Sequence, residues 1–173
     1  MSQTISPKDL SHLLPDVIQI AREAGQRILE IYHSKDYQSF VKEDDTPVTS
    51  ADFAAHKIIT QRLPELTPDI PVLSEEAADI SLKERAQWDR YWLVDPLDGT
   101  QEFIARSGDF ATVIALIENN RPIMGVVYAP VSGVTYFAYD GKGSWKIPEM
   151  DEHIRIHTHK HETADQSISI AIS

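Results

Sequence analysis

Apolar residues at Val17, Ala21, Ala24, Ile28 and Ile31 recur at intervals of four, three, four and three residues. That spacing holds them on one face of an amphipathic helix. Pro15 suits the first turn of this helix, where a backbone N–H would go unpaired anyway. Ser6-Pro7-Lys8-Asp9 reads as a separate capped turn ahead of it, and the helix is expected to fade near His33-Ser34. Thr49-Ser50-Ala51-Asp52 opens a second helix with a capping-box pattern. Phe53, Lys57, Ile58 and Leu63 follow, and Pro64 is expected to end it. Ser81-Leu82-Lys83-Glu84 begins a short third helix by the same capping logic.

The remaining apolar runs are strand-like. Tyr37 to Lys42 is a candidate, and Pro71-Val72-Leu73 is a short strand running into Ser74-Glu75-Glu76. Tyr91-Trp92-Leu93-Val94 is continuously apolar, which predicts a strand buried on both faces and stopping at Asp95-Pro96. Phe110 to Ile117, Ile123 to Tyr128 and Val134 to Tyr139 are separated by turn sequences at Asn119 to Pro122 and at Ser132-Gly133, with another turn at Asp140 to Gly143. Two long helices packed on a mainly antiparallel sheet give an α+β class. The 173 residues are expected to form a single domain, 1–173. Ser167 to Ser173 alternates polar and apolar like a strand in mid-sheet, so the chain reads as cut short, with an exposed edge.

Composition narrows the classes. Hydrophobic residues make up 42% of the chain, which favours a globular protein over a disordered one. The longest apolar stretch, Ala111 to Ile117, is interrupted by Thr112 and is too short to span a membrane. The opening MSQTISPKDL has no basic segment followed by an apolar one, so no secretory signal is read and a cytoplasmic location is expected. The absence of cysteine excludes disulfides, thiolate ligands and a cysteine nucleophile. A formal charge of −11 repels a nucleic-acid backbone. A small phosphorylated ligand stays compatible, because bound divalent cations invert the local field.

Three segments deliver acids where strands should end: Leu73-Ser74-Glu75-Glu76, Val94-Asp95 and Leu97-Asp98. Hard cations take oxygen ligands, and magnesium uses a few carboxylates completed by phosphate and water. Converging carboxylates without a cation would repel one another. Asp98-Gly99-Thr100-Gln101 also reads as a helix start, with Asp98 as cap and Gln101 reaching back, so the Gly99 and Thr100 amides would face a phosphate. Asp52 by itself is accounted for by capping. Phosphatases of the haloacid-dehalogenase type share a strand-end Asp and an Asp-Gly-Thr, but with acids two residues apart on a first strand. Asp95 and Asp98 are three apart and follow some ninety residues, so that reading is set aside.

Other features have plainer readings. His153, His157, His159 and His161 would share one face of a strand over Ile154 to His159, a zinc or nickel site in principle but a solvated face by default. Glu43-Asp44-Asp45 reads as a solvated loop and Lys42 as a surface lysine. Trp88, Trp92 and Trp145 read as packing residues, since no basic surface accompanies them.

Taken together, Asp45-Thr46-Pro47-Val48-Thr49-Ser50-Ala51-Asp52, Leu73-Ser74-Glu75-Glu76, Trp92 to Thr100 with its Asp95-Pro96-Leu97-Asp98-Gly99-Thr100, and Gly125 to Pro130 resemble the inositol monophosphatase superfamily. Glu102-Phe103-Ile104 is similar to the bacterial 3′(2′),5′-bisphosphate nucleotidase branch (CysQ type), although Gln101 stands where many nucleotidases have lysine. The resemblance implies the N-terminal half of a layered αβαβα sugar-phosphatase fold and magnesium-dependent hydrolysis of a phosphomonoester. It implies 3′-phosphoadenosine 5′-phosphate as substrate, giving AMP and phosphate, and inhibition by lithium. Glu75, Asp95 and the Leu97 carbonyl would hold a first metal, Asp95 and Asp98 a second, and Glu75 a third, weaker one. Asp52 and Thr100 would activate the attacking water, while Gly99, Thr100 and Glu75 would hold the phosphate.

The complete family enzyme is expected to bind two or three Mg2+ ions, and this chain one good one. The family's later Trp-Asp motif has no match after Thr158; Asp165 sits in Thr163-Ala164-Asp165-Gln166 without the tryptophan. The resemblance therefore implies a metal-binding phosphatase domain without its substrate lobe, weak metal binding and little turnover. Relatives of this kind are cytoplasmic, sometimes peripheral at the inner membrane face. The expected partner is a small phosphorylated nucleotide, with no nucleic acid and no integral membrane association, and homo-oligomerisation is left open. Two alternatives stand beside this reading: inositol monophosphate hydrolysis, and a non-catalytic fragment assembling through its exposed edge.

Overall fold

The computed structural model describes residues 5–34, 37–41, 47–77, 80–148 and 152–158. The predicted strand-like end, Ser167 to Ser173, lies outside them, as do Lys42, Glu43-Asp44-Asp45 and Asp165.

One continuous helix, α1 (Pro7–Ser34), replaces the two pieces expected around Pro15. Its opening lies at Ser6, whose Oγ accepts from Asp9 N at 3.2 Å while the Asp9 carboxylate accepts from Ser6 N at 3.3 Å. This reciprocal cap satisfies the first turn, and Pro7 takes the position where proline is best tolerated. Pro15 lies inside the helix, where it removes one N–H donor. The buried stripe from Leu10 and Leu14 through Val17 to Ile31 holds the helix together across it.

Next, β1 (Ser39–Val41) pairs antiparallel with β2 (Pro47–Thr49), a strand the hydrophobic pattern does not reveal because it is only three residues long. The second helix, α2 (Ser50–Leu66), opens as read, with Thr49 as N-cap and a complete capping box to Asp52. It passes Pro64 rather than stopping there: Leu63 is buried, and Thr67 N donates to Leu63 O at 2.9 Å, closing the last turn.

The remaining elements are β3 (Val72–Ser74), α3 (Leu82–Arg85), β4 (Arg90–Asp98), α4 (Thr100–Ala105), β5 (Ala111–Glu118), β6 (Arg121–Ala129), β7 (Val134–Tyr139), β8 (Gly143–Ile147) and β9 (Ile154–Ile156). Strands β3 to β9 form one seven-stranded sheet in chain order. The β3–β4 pair is parallel and every other neighbour is antiparallel. The class is α+β, as the pattern predicts, with β8 and β9 extending the meander.

Both long helices cover one face of this sheet. Trp92, Val94, Ile114, Leu116, Met124, Val126 and Phe137 are buried in one cluster with Val17, Ala21, Ala24, Ile28, Ile59 and Leu63. Helix α1 approaches β6 closely at Gly25, where a Cβ would stand 2.5 Å from the Tyr128 ring. The expectation that Tyr91 to Val94 is buried on both faces is corrected. Trp92 and Val94 are buried, whereas Leu93 is 43% exposed, because helices cover only one side of a strand whose side chains alternate. The tryptophans pack: Trp92 Nε1 donates to Thr67 Oγ1 at 2.9 Å, Trp145 stacks on Phe137, and Trp88 lies against Tyr91. Among the described residues, no helix is long and apolar enough to cross a membrane.

Candidate metal centre and proton acceptor

Strand β4 does not stop at Asp95-Pro96. It continues to Asp98 through a bulge. Asp95 lies opposite Val113 and Asp98 opposite Ala111, so two residues of β4, Pro96 and Leu97, face the single residue Thr112. Proline is tolerated at such a bulge because it owes the ladder no N–H there. The freed Pro96 carbonyl accepts from the buried Thr112 hydroxyl at 3.0 Å. The consequence is chemical. Three positions apart on a regular strand, Asp95 and Asp98 would point to opposite faces. Their partners Val113 and Ala111 are two apart and share a face, so the bulge brings both acids to the same side. This is the side away from the helices, while Leu97 turns into the core.

Glu75 joins them through the parallel pair. Ser74 is in register with Val94, and Glu75 N donates to Val94 O at 2.9 Å, which sets Glu75 beside Asp95. Burial, followed by the nearby Glu75 charge, a hydrogen bond with Glu75 and the Asp98 charge, pushes the Asp95 carboxyl up to about 7. The one opposing contact is the Leu97 N–H, which donates to Asp95 Oδ1 at 3.2 Å. A cleft of about 550 Å³ opens beside Glu75 and Asp95, walled by Leu73, Leu93, Val113 and Ala115.

The second part of the site is held by α2. Asp52 is buried in its first turn. Thr49 N donates to its Oδ2 at 2.8 Å and Thr49 Oγ1 at 2.6 Å; Thr100 Oγ1 stands 3.1 Å from its Oδ1. Thr100 Oγ1 is equally near Leu97 O, at 3.1 Å, so its single proton has two acceptors, the Asp52 carboxylate and the Leu97 carbonyl. Burial raises the Asp52 pKa, and the Thr49 and Thr100 contacts pull against that rise.

The expectation that Asp98 caps the helix after it is corrected. Gly99 is the N-cap residue of α4, and no side chain caps it. Gly99 has φ 91°, and a Cβ there would lie 2.9 Å from Asp109 O, so the turn into α4 is built on glycine rather than on an aspartate cap. Asp98, freed from that duty, is exposed next to Asp95.

Do these residues suit a divalent cation? Among the described residues, no three acidic or histidine side chains are gathered as a ready cage. What is gathered is the Glu75–Asp95 pair, sharing a hydrogen bond with a third carboxylate near enough to repel it. Oxygen donors crowded until one retains its proton near neutral pH are the donor chemistry magnesium suits, and the Leu97 carbonyl keeps a second lone pair. The residues fit such an ion.

Among the described residues, the histidines do not gather in the same way. His153 precedes β9 and packs edge-on against Phe137, His157 follows β9, and His159 and His161 lie outside the described residues. Sequence reading missed His56. It shares a 2.8 Å hydrogen bond between its Nδ1 and Ser74 Oγ, and burial lowers its pKa. Its place four residues after Asp52 on α2 was the available signal.

The sequence profile of the inositol monophosphatase family matches residues 9–173. Over 162 residues the chain is 43% identical to the 3′(2′),5′-bisphosphate nucleotidase CysQ of Aggregatibacter actinomycetemcomitans, covering 94% of this chain and 59% of that protein. Over 135 residues it is 54% identical to the CysQ of Salmonella typhimurium, covering 78% and 54%. Among crystal structures, CysQ from Bacteroides thetaiotaomicron superposes with a TM-score of 0.65 at 41% identity, covering 87% of this chain and 53% of that one. The extragenic suppressor protein SuhB from Bartonella henselae superposes with a TM-score of 0.72 at 28% identity, covering 86% and 55%. The chain spans just over half the length of the curated relatives it matches.

Proposed function

This chain belongs to the inositol monophosphatase family, and on that premise we propose that it carries the metal-binding half of a magnesium-dependent phosphomonoesterase acting on 3′(2′),5′-bisphosphate nucleotides. The observation that carries this reading is the bulge that turns Asp95 and Asp98 to one face beside Glu75. Glu75, Asp95, Asp98 and the Leu97 carbonyl would hold the metal. When bound, Mg2+ supplies positive charge to the phosphoryl oxygens and lowers the pKa of bound water.

The chain's own residues then have defined tasks. Asp52 is the proton acceptor: burial makes it a stronger base than an ordinary carboxylate, and three hydrogen bonds fix its orientation. The Thr100 hydroxyl, held against Asp52, positions the attacking water and passes its proton to the carboxylate. The Gly99 and Thr100 amides, at a turn where a side chain on residue 99 would collide with Asp109 O, hold the phosphate together with Glu75. The substrate would be 3′-phosphoadenosine 5′-phosphate, released as AMP and phosphate in the cytoplasm. Nucleotide selection we assign to the part of the relatives that these 173 residues do not cover, so the 173 residues tested alone should turn over weakly or not at all.

Phosphate release from 3′-phosphoadenosine 5′-phosphate and from inositol 1-phosphate tests this, measured with magnesium on the 173-residue chain and on a form extended to the relatives' length. The reading expects the extended form to prefer the nucleotide and the short chain to bind magnesium with little turnover. Preference for inositol 1-phosphate would move the substrate class. Full turnover by the short chain would remove the half-site assignment.

A further inference from the structure

Asp52 and His56 stand one turn apart on α2 and so share a helix face. Asp52 reaches α4 through Thr100 at 3.1 Å, and His56 reaches β3 through Ser74 at 2.8 Å. One helix thus grips two segments of the site. Ser74 is 3% exposed, and a buried hydroxyl needs a hydrogen-bond partner, which the imidazole supplies. Ser74 also directly precedes Glu75.

The strand that delivers Glu75 is weakly secured by itself. β3 is three residues long, stands at the sheet edge, and has β4 as its single neighbour. Val72 and Leu73 are only half-buried. Few backbone hydrogen bonds and little apolar packing make a segment prone to local opening. Its last residue, Ser74, is the buried one, and it is the one tied to α2.

We infer that His56 is a positioning residue: its hydrogen bond to Ser74 clamps the end of β3 to α2 and thereby sets Glu75 beside Asp95. Its consequence for ion affinity rests on the metal reading above; its consequence for β3 does not.

The test uses His56→Ala, His56→Asn, Ser74→Ala and the His56→Ala/Ser74→Ala double variant. Two readouts are taken: magnesium affinity by titration calorimetry, and amide hydrogen exchange at Glu75 in metal-free protein, with Val126 in the middle of the sheet as control. His56→Ala should weaken magnesium binding about tenfold or more, the range seen when a partner that orients a ligand is lost. It should also speed exchange at Glu75 while Val126 stays as in the wild type. His56→Asn, whose amide can occupy the place of Nδ1, should restore both. The double variant should be no worse than Ser74→Ala alone, since both remove one bond.

Unchanged Glu75 exchange in His56→Ala would overturn the inference. So would exchange raised equally at Glu75 and Val126, the mark of general destabilisation. If His56→Ala does not fold, Ser74→Ala decides by the same criterion. If the wild-type chain binds no magnesium and Glu75→Gln changes nothing, the metal reading fails, while Glu75 exchange still decides the role of His56.

Discussion

Asp52 is buried and Asp95 half-buried, and both have raised pKa values, yet their surroundings differ in kind. Asp52 receives two hydrogen bonds from Thr49 and lies 3.1 Å from the Thr100 hydroxyl, so the protein itself satisfies the carboxylate. Asp95 receives one backbone N–H, from Leu97, and faces Glu75 and Asp98, so the protein crowds it with like charge. The first arrangement is a satisfied carboxylate that also caps a helix. The second is unfavourable until a proton or a cation enters. Conflict of this kind, at a position where local structure is otherwise well made, is where function is to be sought.

The largest effect should come from removing the crowded charge. Asp95→Asn should weaken magnesium binding by at least about 100-fold, roughly 2.7 kcal/mol, because changing a ligand costs more than changing its support. The metal-free protein should be no less stable, since a repelling carboxylate is gone. Calorimetric titration and metal-free thermal melting check both halves; a large loss of metal-free stability would mean Asp95 is satisfied after all.

The converse change should show the opposite signature. Asp52→Ala leaves the buried Thr49 N–H and hydroxyl without their acceptor and removes half of the capping box. It should cost about 1–3 kcal/mol in urea unfolding. Magnesium affinity should change much less than in Asp95→Asn.

The contrast also reaches the pH dependence of stability. The folded Asp95 holds its proton to about 7, against 3.8 for the ordinary carboxyl. Between those values the folded state binds more protons than the unfolded one, so stability falls as pH rises through the window and the loss is complete above it. The metal-free melting temperature, taken relative to Asp95→Asn to cancel His56 and other groups, should drop between about pH 5 and about pH 8. Saturating magnesium should remove that drop, and a flat difference without metal would end the contrast between the two acids.

Much of this was legible in the chain itself. The stripe from Val17 to Ile31, the Thr49–Asp52 capping box and the acid-bearing ends of β3 and β4 are local patterns that formed where they were read, whereas Val94-Asp95, read as a strand end, lies within β4. The errors have physical causes. Pro15 is tolerated because buried Leu14 and Val17 hold the helix on both sides of the missing donor, and Pro64 because Leu63 before it is buried and its carbonyl is taken by Thr67 N. The continuous run at Tyr91 to Val94 misled because hydrophobicity alone does not say which face is covered.

What the sequence determined by itself was most of the elements that form and the carboxylates carried by β3 and β4, because periodicity and caps are written in neighbouring residues. Tertiary structure alone decided three things: that a bulge against Thr112 turns Asp95 and Asp98 to one side, that parallel pairing sets Glu75 beside them, and that His56 finds Ser74 eighteen residues away. Each depends on register between segments, and register is set by packing across the sheet rather than by any local pattern.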